Sequence, residues 1–282
     1  MRVRHEVSCP EIGPICFERD EPPQQHDQTF DLAEVRLIGG MPIGGGVGLE
    51  VEVPYRVNRV SVRYRRLDGT EFEPDYEDIH HRDETLTGLG DVRVALSAAK
   101  RFAAVTAQVS GGMWLPFGRT QENPFERGRL GLEHQHVQFG TGTFDPAVAV
   151  DVAGRAGRIA WSSYAQARFV MTESPRGYQA GNRFAVGAWA RTPVGSGFEA
   201  GAGLDLAHEQ AERWGGVVEY EGNLGRTDLL AGASVSWANG PLRLATDLRI
   251  PVVSESSGEQ LDYPAVLGVE AAWQFGGAKT AR

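Results

Sequence analysis

A chain of 282 residues with 36 glycines and an ordinary apolar share of 41% is neither collagen-like nor typically disordered. It has no apolar run approaching the roughly 18 residues of a membrane-spanning helix, whereas a transmembrane β-barrel needs strands of only about 9–11 residues and stays open. The net charge of -9, with no dense basic run, argues against nucleic acid as a partner.

The chain starts with "MRVRHEVSCPEIGPICFERDEPPQQHDQ", which lacks the apolar core of a secretory signal. If the protein is exported, its signal is expected either to have been trimmed or to lie upstream. Cys9 and Cys16 could close a small disulfide loop in an oxidising compartment or remain free thiols. Residues 1–29 are expected to be a polar segment, either disordered or serving as a plug in the lumen or periplasm.

From about residue 30 the hydrophobic period is 2. In "PLRLATDLRIPV", Leu242, Leu244, Leu248, Ile250 and Val252 share one parity, and Arg243, Asp247 and Arg249 take the other. The pattern predicts strands near 31–39, 46–54, 56–66, 89–99, 102–115, 141–153, 157–171, 181–192, 197–208, 227–238, 241–252 and 262–275. The second and third are kept apart because Val47 to Tyr55 are apolar at odd positions and Val60, Val62 and Tyr64 at even ones. Such a switch calls for a turn or bulge between them.

Short links at 100–101, 153–156, 193–197 and 239–240 alternate with long ones at 67–88, 116–140, 172–180, 209–226 and 253–261. Asn239-Gly240 is a strong hairpin signal. Short turns at one end and long loops at the other describe an outer-membrane barrel. A sandwich would use irregular crossovers and shorter strands. The expected fold is all-β: an up-and-down antiparallel transmembrane β-barrel of about 12 strands over residues 30–275, with 276–282 as a tail.

The polar parity would then face a lumen. Glu50, Glu52, Arg63, Arg65, Asp91, Arg93, Gln108, Asp151, Arg158, Arg168, Arg183, Arg191, Glu199, Asp205, Arg243, Asp247, Arg249 and Glu270 are the expected lining. Only Lys100 and Lys279 are lysines, so the lining cations are all guanidinium groups. Mixed charge at close quarters can lock into arginine–carboxylate pairs that brace the wall, the favoured reading, or form a conduit whose selectivity those residues set.

The stretch "HQHVQFGTGTFDP", residues 134–146, admits three readings. A phosphate cradle should lead into a helix N-terminus, and here a strand follows, so that reading fails. His134 and His136 could join His80 and His81, at the same expected end, as ligands for zinc, copper or nickel. The default is a loop entering the wall, its glycines permitting close backbone approach. Ser162, Ser163, His134 and His208 show no spacing that marks a catalytic set, so neither an enzyme nor a cofactor is expected.

"TLTGLGDVRVAL", "LPFGRTQENPF", "FGTGTFDPAVAVDV" and "LRIPVVSESSGEQLDYPAVLGVEAAWQF" resemble the recurring stretches of outer-membrane transporter-like proteins grouped with the meta pathway of phenol degradation. The similarity spans roughly residues 30–275. It implies a porin-like barrel in the outer membrane of a Gram-negative-type bacterium. Membrane lipid, a small solute and the barrel-assembly machinery would be its partners, in an oligomeric state left open. The implied role is passage of small compounds, aromatic or hydrophobic ones among them, with no catalytic residues. Two other roles stay in view: a metal-binding surface barrel using the loop histidines, and a structural barrel with a plugged lumen.

Overall fold

The computed structural model of the protein describes residues 2–7, 24–74, 78–220, 222–257 and 263–275. Alternating apolar and polar residues fold as extended strands because successive side chains point to opposite faces. The first are β1 (Arg2–Val7), β2 (Gln24–Gly44), β3 (Val47–Arg66), the two-residue β4 (Glu71–Phe72), β5 (Glu84–Leu89), β6 (Val92–Phe102) and β7 (Val105–Leu115). A short helix, α1 (Pro124–Arg129), interrupts them. There follow β8 (Asp145–Ala156), β9 (Ile159–Arg168), β10 (Tyr178–Gln179), β11 (Arg183–Gly195), β12 (Phe198–Glu209), β13 (Arg213–Trp214), β14 (Arg226–Asn239), β15 (Leu242–Ser256) and β16 (Val266–Trp273).

One sheet runs in the order β1-β2-β3-β6-β7-β8-β9-β11-β12-β14-β15-β16, with β4 and β5 added against β3. All its pairings are antiparallel, and neighbours in the wall follow one another along the chain. The fold is the expected all-β up-and-down meander, curled on itself. Among the described residues no ladder joins β16 to β1 or β2, so the seam lies there. Tight turns close β2–β3, β6–β7, β8–β9, β11–β12 and β14–β15 at one end. At the last of these Gly240 has φ +58°, which the turn after Asn239 needs. The long loops gather at the other end.

The two faces of the sheet invert the rule for a water-soluble protein. Leu267 is 69% exposed, Ile250 47% and Leu248 49%, whereas Glu52 is 8% exposed and Asp205 3%. Register explains the sorting. Asp205 stands opposite Gly187 and Leu230, one side of the sheet, while Leu204 and Leu206 point to the other. The apolar core cluster of Val170, Tyr178, Ala180 and Trp214, packed against Phe125, lies in the loops at the long-loop end.

Four expectations change. The parity switch near residue 55 needs no turn or bulge, because β3 is one strand paired with β2 in unbroken register from Gly48 to Arg66. Its environment changes instead. β3 pairs with β6 over Val47–Glu52, then with β5 over Tyr55–Val60 and with β4 over Tyr64–Arg65. The inner face that carries Glu50 and Glu52 below therefore passes under the loops above, where Val60 is 3% exposed and Arg56 donates to the Phe139 carbonyl.

Arg63 and Arg65, placed in the lining on the strength of that switch, consequently sit on the opposite face. There they meet Glu71 at 3.9 and 2.7 Å. Arg158 lies in the turn between β8 and β9, exposed, and not on the wall. Within the segment 1–29, residues 2–7 form a strand against Gln24–Thr29 of β2. Cys9 and Cys16 lie outside the described residues.

Candidate functional site

The Gly140-Thr141-Gly142-Thr143 motif holds carboxylates. Asp91 directly precedes β6, Asp145 opens β8 and Arg168 closes β9, so the ends of three strands deliver one group each to the concave face. Arg168 Nη2 reaches Asp91 Oδ2 at 2.6 Å and also bonds Asp145. Thr141 donates its hydroxyl to Asp145 at 2.8 Å and its amide to Asp91 at 3.0 Å; Thr143 Oγ1 donates to Asp145 at 2.6 Å. Asp145 is fully buried and Asp91 2% exposed. Two buried carboxylates around one guanidinium are tolerable only because these donors fill their lone pairs. Gly140 is required by space: a Cβ there would lie 2.2 Å from Asp91 Oδ1.

Further along the inner face, Arg93 bridges Glu50 at 3.4 Å and Glu52 at 3.7 Å, Gln108 donates to Glu50 at 3.0 Å, and Arg36 approaches Glu52 at 3.6 Å. Asp151 stands opposite Gln108 in the β7–β8 ladder. Tyr164 and Trp189 both donate to Asp205, at 2.8 and 3.1 Å, while Arg249 lies 3.5 Å from Asp205 and 2.9 Å from Asp247. Nearer the loops Arg183 pairs with Glu209 at 2.9 Å and Arg226 with Asp228 at 2.6 Å. Toward the tight turns Arg191, Glu199, Arg243 and Glu270 make no ion pair among the described residues. Three aromatic side chains share this inner face: Trp114 under the Arg168 guanidinium at 4.8 Å, Trp189 under that of Arg249 at 5.4 Å, and Tyr164.

A second constellation stands at the long-loop end. His134 donates its backbone N–H to the Ile79 carbonyl at 3.0 Å, and Gln135 donates to Glu84 at 2.8 Å, tying the loop after β7 to the loop before β5. This brings the His80 ring within 4.7 Å of His134 and 4.6 Å of His136, stacked at 22° in both cases. His81 does not join that set. It turns to His26, whose Nδ1 is 3.0 Å from its own, and to Asp78. Three of the four expected ligands, His80, His134 and His136, thus form one group, while His81 joins His26 and Asp78 in another, with candidate ligand atoms within 4.8 Å of one another in each triad.

Asp78 Oδ1 also accepts the backbone N–H groups of His80 and His81 at 2.8 and 2.7 Å, which sets the turn that presents both rings. The pKa of His136 is lowered well below the ordinary imidazole value, first by burial and then by His80 and His134. On its other side His136 touches Phe125 of α1 edge-on at 4.8 Å, and Phe125 leads to Trp214 at 6.4 Å. Asn123 caps that helix and Pro124 opens it.

No family model and no curated protein matches the chain. Among solved structures, an outer membrane channel from Pseudomonas putida F1 superposes with a TM-score of 0.59 at 12% identity, over 97% of this chain and 94% of that one. The two proteins share a fold. OmpT of Vibrio cholerae, an outer membrane protein, in a form lacking loop L8, aligns over 97% of this chain and 96% of its own at 10% identity, with a TM-score of 0.42.

Several site residues escaped the sequence reading. Glu34 links Arg36 and Arg56 on the inner face of β2 and β3, at 2.6 Å to Arg56, yet the expected lining took no residue from β2. His26 fell in the segment 1–29, expected to be either disordered or a plug. Thr141 and Thr143 carried a readable signal, hydroxyls spaced by two directly before Asp145, once the motif is seen to face aspartates instead of phosphate.

Proposed function

We propose that this chain is an outer-membrane β-barrel that conducts small solutes across the outer membrane of a Gram-negative-type bacterium. The observation that carries the reading is the inverted wall. Leucine, isoleucine and valine side chains stand exposed along one face, while aspartate, glutamate and arginine line the other. In water such a face would leave apolar area uncovered at roughly 25 cal/mol per Å²; against hydrocarbon that penalty vanishes. Membrane lipid is the covering partner, and the barrel-assembly machinery is the means of insertion.

Small aromatic compounds fit as the solute class. Trp114, Tyr164 and Trp189 offer ring faces on the same surface as Arg168 and Arg249, a combination that accommodates flat rings and their polar substituents. Arg191, Glu199, Arg243 and Glu270, which make no ion pair among the described residues, would set charge preference toward the turn end.

The test begins with native membranes. The protein should fractionate with the outer membrane and migrate in a heat-modifiable way, and planar bilayers should then show discrete conductance. Reversal of Arg191 and Arg243 to glutamate should shift ion preference toward cations. Liposome swelling should be faster with benzoate than with a sugar of similar size. A correctly folded barrel without conductance would favour the structural role, its lumen filled by the ion pairs described above.

A further inference from the structure

We propose that His80, His134 and His136 form a binding site for a divalent zinc- or copper-class ion that clasps the loops before β5 and after β7 at the long-loop end. The inference is independent of solute passage and goes beyond it. Two segments more than 50 residues apart deliver three imidazoles to one point, and the backbone bond from His134 to Ile79 fixes their approach.

A carbonyl can only accept, so the 2.9 Å contact between His134 Nδ1 and the Leu132 oxygen assigns the proton to Nδ1 and leaves Nε2 as the ligand atom. This is the outer hydrogen bond that orients metal-binding histidines. In a tetrahedral site with Zn–N bonds near 2.0–2.1 Å the ligand nitrogens stand about 3.3 Å apart. The candidate ligand atoms already lie within 4.8 Å of one another. His134 is buried, whereas His80 and His136 keep an edge open to solvent. Three imidazoles with one open side leave a fourth position for water or a solute donor.

His26, Asp78 and His81 are the weaker candidates. The two imidazoles bond each other at 3.0 Å, and Asp78 is engaged by two backbone amides. They form a scaffold that holds His80 in place from behind, with the His80 and His81 rings 4.2 Å apart.

The test uses untagged full-length protein folded in detergent micelles, titrated calorimetrically with zinc chloride and separately with copper chloride. Heat-modifiable gel migration checks the folding of each variant. One equivalent should bind. Affinity should fall at least about tenfold in each of His80→Ala, His134→Ala and His136→Ala and stay unchanged in His208→Ala. Absence of saturable binding, unchanged affinity in His134→Ala and His136→Ala, or loss confined to His26→Ala would each overturn the proposal. Should a triad variant misfold, electron paramagnetic resonance of the copper-loaded parent decides. Coupling to imidazole nitrogens is expected, and a spectrum from oxygen ligands alone contradicts the site.

Discussion

The wall and the loop cap use the same apolar residue types in opposite ways. In the wall, Val150, Val186, Leu204 and Leu248 face outward and are 43–54% exposed, while Asp145 and Asp205 are buried. In the cap, Val170, Tyr178 and Trp214 are 3–6% exposed and form an ordinary core. The difference lies in the medium each region meets. On the proposed function the cap meets water and hides its apolar groups, whereas the wall meets hydrocarbon and hides its charges. A single chain contains both arrangements because the strands end where the loops begin.

The largest way to break that contrast is at Arg168. Arg168→Met should remove about 3–5 kcal/mol from wall stability, since Asp91 and Asp145 are left buried without a counter-charge; urea unfolding in liposomes reads it. The matching change in the cap, Trp214→Ala, should cost a similar amount, about 3–5 kcal/mol, but locally. Proteases should cut the loops of this variant while the wall keeps its heat-modifiable migration. Leu248→Arg places a cation on the outer face and should cost about 2–4 kcal/mol in lipid. Were it neutral, the outer face would not be meeting hydrocarbon. Gly140→Ala forces a methyl group onto Asp91 and should cost about 1–3 kcal/mol.

The smallest effect is a pH dependence confined to the cap. Glu212 is buried beside Trp214 and Tyr178, and burial first of all raises its pKa above the ordinary glutamate value. A raised folded-state pKa gives stability that is complete below the unfolded value and is lost as pH climbs through the folded one. Cap resistance to proteolysis should therefore decline as pH rises from the ordinary glutamate range, and Glu212→Gln should abolish that slope. A slope of opposite sign in the parent would show that Glu212 is better stabilised charged.

Much of the wall was legible because its two faces never change partners. From β6 to β16, an apolar outer face on one side and a polar interior on the other keep the period-2 pattern pure, so strands and link alternation could be read from residues such as Leu242 to Val252. β3 was misread for the opposite reason. Its inner face runs from charged neighbours at Glu50 and Glu52 to loop packing at Val60, so the pattern changed while the strand did not. The clamp around Arg168 and the division of the histidines depend on ladders between segments far apart in the chain, and local spacing carries no record of them. His26 shows this most plainly, meeting His81 from 55 residues away.

The most direct test labels two adjacent positions of β15. With Cys9 and Cys16 replaced by serine, spin labels at Leu248→Cys and Asp247→Cys in reconstituted liposomes are probed with oxygen, which partitions into lipid, and with a water-soluble nickel complex. The label at position 248 should respond to oxygen and ignore nickel, and the label at 247 should do the reverse. Strong nickel access at 248 would contradict a lipid-facing wall.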